Sequence, residues 1–181
     1  MKEHFGDRVD ITWKSFLLRT EMKATSRDKF VNYTQGWSRM KEMEPRADFV
    51  PWASDDDPPS SSLPAQVAHK VVQANWPDAA REMHDRLMTA YFTENRTISD
   101  WGVLADIAAE SGIERDEFLA MLDEQRQSFA QQVIDEHNSA IEQGITAVPT
   151  VVINDVLPVP GAQDSDSYIA WIERILERQN G

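Results

Sequence analysis

Hydrophobic and polar positions alternate first with a period of two, and then for most of the chain with the three- and four-residue spacing of helices. Residues 1–6 read as the end of a helix, with Gly6 placed to stop it. Val9, Ile11 and Trp13 alternate with Asp10, Thr12 and Lys14 and lead into Phe16-Leu17-Leu18. That pattern predicts a strand over 9–17. From Ser26, the residues Phe30, Tyr33, Trp37 and Met40 recur at helical steps, a stripe expected in a core rather than around a cofactor. Residues 45–62 break the pattern with Pro45, Pro51, Asp55-Asp56-Asp57, Pro58-Pro59 and Ser60-Ser61-Ser62, and read as a solvated loop. The three aspartates lack the glycine and distal Glu of a calcium loop.

Helical spacing then runs from 63 to 143, with Pro64 and Pro77 at first-turn positions. Ala68, Val71 and Val72 stripe one helix, and Ala80, Met83, Leu87 and Tyr91 the next. Ser99 or Asp100 caps a third, carrying Val103, Leu104, Ile107 and Ala108 and stopped by Gly112. Phe118, Met121 and Leu122 mark a short fourth. Phe129, Val133, His137, Ala140 and Ile141 mark a fifth, ended by Gly144. After Pro149, Thr150-Val151-Val152-Ile153 reads as a buried strand, Asn154-Asp155 as a turn, and Val156-Leu157-Pro158-Val159 as an edge strand. A final helix starts near Ser165 or Asp166, with Tyr168, Ile169, Ile172, Ile175 and Leu176 on one face. The order is strand, helical insert, hairpin, helix. The first two strands, joined by helices, are expected to be parallel.

Composition narrows the function. With 181 residues and 41% apolar content, the chain is one domain, or one domain carrying an insertion, and is not disordered. Its 18 basic residues face 31 acidic ones, a net charge of −13. That balance excludes a general nucleic-acid binder and disfavours anionic membrane surfaces. No segment approaches the ~20 apolar residues of a membrane span. Met1-Lys2-Glu3-His4-Phe5-Gly6 has no signal-peptide core, so a cytoplasmic location is expected. The sequons at Asn32 and Asn95 are then chance matches. There is no cysteine, which removes disulfides, thiolate-ligated zinc, iron–sulfur clusters and a cysteine nucleophile.

Generic motifs name no reaction. His4, His69, His84 and His137 form no His-x-x-x-His or HExxH pair, so no metal is expected, and His137 reads as a core or boundary histidine. Seven glycines leave no phosphate loop, there is no Gly-x-Ser-x-Gly elbow, and no cofactor is expected. The distinctive feature is Ala147-Val148-Pro149-Thr150, directly before an apolar run. A proline entering a strand cannot donate a ladder hydrogen bond. It is most easily accommodated by a cis Val148–Pro149 bond that exposes the Val148 backbone to an extended peptide. For an isolated Val-Pro-Thr, trans is the default, since cis occurs in only ~5–6% of X–Pro bonds.

Gly144-Ile145-Thr146-Ala147-Val148-Pro149-Thr150-Val151-Val152-Ile153, followed by Val159-Pro160-Gly161-Ala162-Gln163, resembles the C-terminal half of the DsbA-like thioredoxin-fold family. The closest resemblance is to its FrnE-type branch, related to 2-hydroxychromene-2-carboxylate isomerases and kappa-class glutathione transferases. Ser62-Leu63-Pro64-Ala65, the run from Tyr91 to Asp100, and Val103-Leu104 through Gly112 are similar to the family's helical insert. Phe5 through Arg19 is similar to the strand after its active-site helix. The resemblance implies an α/β, thioredoxin-like fold with a large all-helical insertion, its first strand and active-site helix start missing. Residues 1–25 and 144–181 would form the incomplete thioredoxin-like domain and 26–143 the insertion. Pro149 would be the cis-proline opposite the active-site thiols, with Val148 and Thr150 beside it binding substrate.

The family's Cys-x-x-Cys sits at a helix N-terminus, which stabilises a thiolate. No catalytic residue of that kind is retained, so the chain is expected to be unable to run dithiol chemistry. In the implied fold, the strand preceding that element lies between the segments near 9–17 and 150–154. Each buried aliphatic side chain it would carry is worth roughly 1.5–3 kcal/mol. A truncated reading frame is the preferred explanation. Direct pairing of the flanking strands, or a second copy filling the gap as a homodimer, are the others. The implied partner is a thiol- or disulfide-containing protein or a small molecule such as glutathione. Two rival readings are a glutathione-dependent isomerase or transferase of the kappa-like branch, and an inactive module that binds peptides in the Val148–Pro149 groove.

Overall fold

The computed structural model describes residues 1–20, 26–44 and 48–180. Its helices are α1 (Lys2–Phe5), α2 (Arg27–Thr34), α3 (Trp37–Met43), α4 (Leu63–Asn75), α5 (Ala80–Phe92), α6 (Trp101–Glu110), α7 (Arg115–Glu142) and α8 (Ser165–Asn180). Its strands are β1 (Thr150–Ile153) and β2 (Leu157–Pro160), and 3-10 turns cover Gly6–Arg8 and Pro77–Ala79. The chain divides into two compact units, Leu17–Asp135 and Met1–Phe16 with Glu136–Gly181. The division falls at 16/17 and 135/136, nine and eight residues before the expected boundaries of 25/26 and 143/144. Residues 21–25 and 45–47 lie outside the described residues.

The helical unit is built on α4, whose Val67, Ala68, Val71 and Val72 are almost wholly removed from solvent. They pack in one cluster with Met83, Leu87 and Ala90 of α5, Leu104, Ile107 and Ala108 of α6, and Phe118, Leu122 and Val133 of α7. The Asp100 carboxylate caps α6 by accepting from Val103 N–H at 3.0 Å. Gly112, at φ +86°, turns the chain out of that helix. Arg86 and Arg96 both bond Glu94 and Glu110, closing a four-membered ionic ring that ties α5 and the following loop to α6. Burial alone would raise the Glu110 carboxyl, but hydrogen bonds from Arg86 and Arg96 outweigh it and hold that group below its ordinary range.

Three expectations change here. Residues 115–142 form one helix instead of two, because Asp123-Glu124-Gln125-Arg126-Gln127-Ser128 contains neither glycine nor proline to break it. The helix from Ser26 is instead two, interrupted at Gln35-Gly36. Ser26 Oγ does cap α2, but only Phe30 and Trp37 of the aromatic stripe are buried, while Tyr33 and Met40 are exposed. The proline-rich stretch is packed where it is described, not solvated. Trp52 is 1% exposed, meets the Phe30 ring edge-on at 5.3 Å, and donates its backbone N–H to Thr34 Oγ1 at 2.9 Å. Asn95 holds the same loop by accepting from Ala53 N–H at 2.7 Å and donating to Val50 O at 3.1 Å. Arg19 donates to Pro59 O at 2.9 Å, and Pro58 and Pro59 are buried. Asp55, Asp56 and Asp57 follow the solvated reading, as do Asp48 and Ala53 among the described residues of the stretch.

In the smaller unit, residues 9–17 form no strand, which overturns both that element and its parallel pairing. Alternation selects a pleat, but a strand exists only through ladder bonds to a neighbour, and among the described residues β1 pairs with β2 alone. Ile11 and Trp13 are accordingly 45% and 70% exposed. The segment is held at its end, where Glu136 accepts from Ser15 N–H at 2.7 Å and the Phe16 ring meets half-buried His137 edge to face at 4.9 Å. β2 lies one residue later than expected, and β1 is not a buried strand, since Val151 is 40% exposed. The hairpin turn follows its sequence: Asn154 and Asp155 have φ of +52° and +56°, and Val156 N–H donates to Ile153 O. The cap of α8 is Asp164, one residue before the expected start. Its carboxylate accepts from the backbone and hydroxyl of Ser167, which hold it below the ordinary carboxyl range. Among the described residues, no helix is long and apolar enough to cross a membrane.

Truncating the wholly buried Leu104 to alanine is expected to cost about 2–5 kcal/mol. Met43→Ala, at a position 73% exposed, should stay within about 0.5 kcal/mol of wild type. Urea unfolding followed by circular dichroism separates the two, and equal losses would contradict the assignment of the core.

Candidate functional site

The site begins where α7 stops. Gly144 N–H donates to Ile141 O and Ile145 N–H to Ala140 O, both at 2.9 Å, with Gly144 at φ +78°. These paired bonds are a Schellman stop, which satisfies the last helical carbonyls and releases the chain as an extended segment. From Ile145 through Ile153 that segment carries no charged residue, in a protein where 27% of residues are charged. Thr150 Oγ1 donates to Ala147 O at 2.7 Å, closing a small turn around Val148 and Pro149. The Val148–Pro149 peptide bond is cis. Pro149 O accepts from Gly161 N–H at 2.8 Å, which clips the turn to the far end of β2.

The register decides which backbone groups face outward. β1 and β2 are antiparallel, with Thr150 opposite Pro160, Val151 opposite Val159, Val152 opposite Pro158 and Ile153 opposite Leu157. In such a ladder alternate residues exchange hydrogen bonds, and the Gly161–Pro149 bond assigns the bonded positions to the odd residues of β1. Thr150 and Val152 therefore aim their N–H and C=O groups away from β2. Pro158 and Pro160 occupy the matching outward positions of β2, where the absence of an N–H leaves the ladder intact. One edge of the hairpin is thus stripped of donors, and the other retains them.

The structure brings the three expected binding residues, Val148, Pro149 and Thr150, together at the entry to the donor-bearing edge. Val148 is 43% exposed, Pro149 is exposed and Thr150 half-buried. Chemically this is a surface for recognising extended backbone. It offers no carboxylate, imidazole or thiol, and the Thr150 hydroxyl is committed to Ala147. Sequence reasoning placed Pro158 on an edge strand but missed that Pro160 extends the same strand and that Gly161 clips Pro149, although the period-two spacing of Pro158 and Pro160 carried part of the signal. Among the described residues there is no cluster of three or more metal-ligating side chains.

Gly161 tests this clip. Its φ is +77°, and a Cβ there would first meet Gln163 Nε2 at 3.8 Å, so space is available and conformation is the obstacle. Gly161→Ala is expected to cost about 1–2 kcal/mol and Gly161→Pro more, because proline also deletes the donor to Pro149. Hydrogen-exchange protection of the Val151 and Ile153 amides should fall in that order. Unchanged protection in both variants would refute the clip.

Comparison with known proteins follows the same lines. No curated protein sequence matches the chain. Among solved structures, SCO1869 from Streptomyces coelicolor, assigned as a DsbA oxidoreductase, superposes with a TM-score of 0.67 at 17% identity, over 93% of this chain and 76% of that one. The cytosolic disulfide reductase DsbM from Pseudomonas aeruginosa gives 0.63 at 18% identity, over 88% and 80%. A Nitrosomonas europaea protein assigned as a protein disulfide isomerase gives 0.64 at 12% identity, over 88% and 78%. These likenesses establish a thioredoxin-like fold with a helical insertion. The model of the DSBA-like thioredoxin domain matches residues 1–170, and the chain belongs to that family.

Proposed function

We propose that the chain supplies the substrate-facing part of a FrnE-type thiol–disulfide oxidoreductase. The observation that carries this reading is the uncharged, exposed strand edge entered at Val148–Pro149. Val148, Pro149 and Thr150 would seat an extended stretch of a thiol- or disulfide-containing protein by backbone hydrogen bonds, with little dependence on its side chains. Exchange itself proceeds by attack of a thiolate on a disulfide sulfur, through a mixed disulfide. None of the 181 residues is a cysteine, so the attacking thiol of such an enzyme would come from outside them. The superposition covers 80% of DsbM and 76% of SCO1869, so part of each has no counterpart in this chain.

The DNA immediately 5′ of the Met1 codon decides the source of the thiols. An in-frame strand followed by Cys-x-x-Cys is expected there, and an in-frame stop codon without it would sink the truncation reading. Binding is tested on the chain as it stands. Titration with an unstructured, cysteine-containing peptide should shift the amide resonances of Val148, Thr150, Val151 and Val152, while insulin reduction stays at background. Absence of those shifts counts against the groove. Retention on immobilised glutathione without peptide shifts would favour the kappa-like alternative. A cytoplasmic location belongs to the same proposal and is checked by cell fractionation; a homodimer, in which a second copy fills the gap, is the alternative to truncation and is checked by light scattering.

A further inference from the structure

The helical unit holds a cavity of about 350 Å³, lined by Leu63 and Val67 of α4, Trp101 of α6, and Arg126, Gln127 and Ala130 of α7. That volume lies at the small end of ligand sites, which run from about 300 to about 1,000 Å³. All six residues belong to the unit Leu17–Asp135. Leu63 and Val67 are one turn apart on α4, as are Arg126 and Ala130 on α7, so each helix contributes one face. Trp101, the first residue of α6, supplies the third wall. Val67 belongs to the core cluster, and Leu63, Trp101 and Ala130 are packed against it. The apolar walls are therefore held by the same packing that holds the unit together.

The polar part of the lining has one sign. It carries a single charge, the Arg126 guanidinium, and no carboxylate, in a chain with 31 acidic residues against 18 basic ones. Arg126 Nη2 meets Asp123 Oδ1 at 3.4 Å, three residues away on the exposed side of α7, and ion pairs in such surroundings contribute little. The guanidinium can exchange that partner for a better-placed anion, which its planar fork of donors matches. Neither the Trp101 indole N–H nor the Gln127 carboxamide is engaged in a hydrogen bond with another described residue, so both remain able to donate. Asp100, which precedes Trp101, is turned to its own helix, where it caps Val103 N–H.

We propose that this cavity is a binding site for a small aliphatic carboxylate. Its carbon chain lies against Leu63, Val67 and Ala130, and its carboxylate accepts from Arg126 and Gln127. The apolar walls suit the chain because a branched aliphatic lining excludes water without asking for a polar partner. The guanidinium selects the anion over a neutral molecule of the same shape, since a hydrogen bond between two charged groups is about twice as strong as a neutral one. The site is made wholly by the helical unit and does not rest on the Val148–Pro149 edge.

The probe is sodium octanoate, titrated into the full chain and followed by NMR at the Trp101 indole N–H and the Gln127 carboxamide, with octanamide as its neutral isostere. Octanoate should shift both signals saturably and bind about tenfold or more tightly than octanamide. Arg126→Gln should remove that preference while leaving octanamide binding as it was; the side chain lies on the exposed side of α7, so this variant is expected to fold. Ala130→Leu, which occupies the space itself, should weaken both ligands. Equal affinity of the wild type for octanoate and octanamide would overturn the carboxylate assignment, as would an Arg126→Gln variant that keeps the preference. Octanoate shifts confined to exposed apolar positions such as Tyr33 and Met43, or no saturable shift at all, would overturn the site.

Discussion

Every backbone N–H and C=O that leaves water needs a partner, and in this protein that requirement separates the two units. The helical unit meets it internally, turn by turn, and so can be assembled from side-chain packing alone. The smaller unit meets it the same way in α1, α8 and the end of α7, but among the described residues its strands have only a two-stranded ladder with which to meet it. A ladder of two strands satisfies only one side of each strand, so half of the backbone groups of β1 and β2 face outward. What the hairpin does with those outward groups determines the candidate site. The two prolines of β2 dispose of the problem on one side, and the polar edge of β1 is left as the chemically available one.

The helical unit shows a different kind of economy. Its core is aliphatic where α4, α5, α6 and α7 converge, and aromatic where Phe30, Trp37, Phe49, Trp52, Tyr91 and Phe92 gather around the ends of α2 and α5. The irregular chain between α3 and α4 is held against the aromatic cluster by Trp52, and to the helices by Asn95 and Thr34. Asn95 adopts φ +56°, a conformation in which asparagine is among the few side chains tolerated, and its amide spans two backbone groups of the loop. The loop thereby behaves as part of the packed structure, although it has no repeating backbone pattern.

What is legible in the amino-acid sequence follows from how local each cause is. The stripes from Ala68 to Leu122 identify their helices because helical bonds are made within the segment that carries the stripe. Gly112 and Gly144 mark helix ends for the same reason. Residues 9–17 mislead because alternation belongs to the segment, whereas pairing belongs to its neighbour. Trp52 stands alone between prolines and gives no periodic signal, so its burial is visible only once Phe30 and Thr34 are in place. At the site, Val148, Pro149 and Thr150 can be singled out from a short motif, but which edge of the strand is open requires the register against Pro158 and Pro160.

The proline spacing in β2 has a consequence for assembly. A hairpin with two competent edges can template an indefinite stack, each copy offering the next a fresh row of donors. Here a strand added along β1 would meet a row that ends at β2, because Pro158 and Pro160 present no N–H to any further neighbour. For copies of this chain growth is thus self-limiting: pairing β1 with the β1 of a second copy would leave a proline-bearing β2 at both outer edges, and nothing propagates from either. In a chain whose longest neutral run between helices is this same edge, that polarity turns a surface prone to polymerise into one that saturates after a single addition.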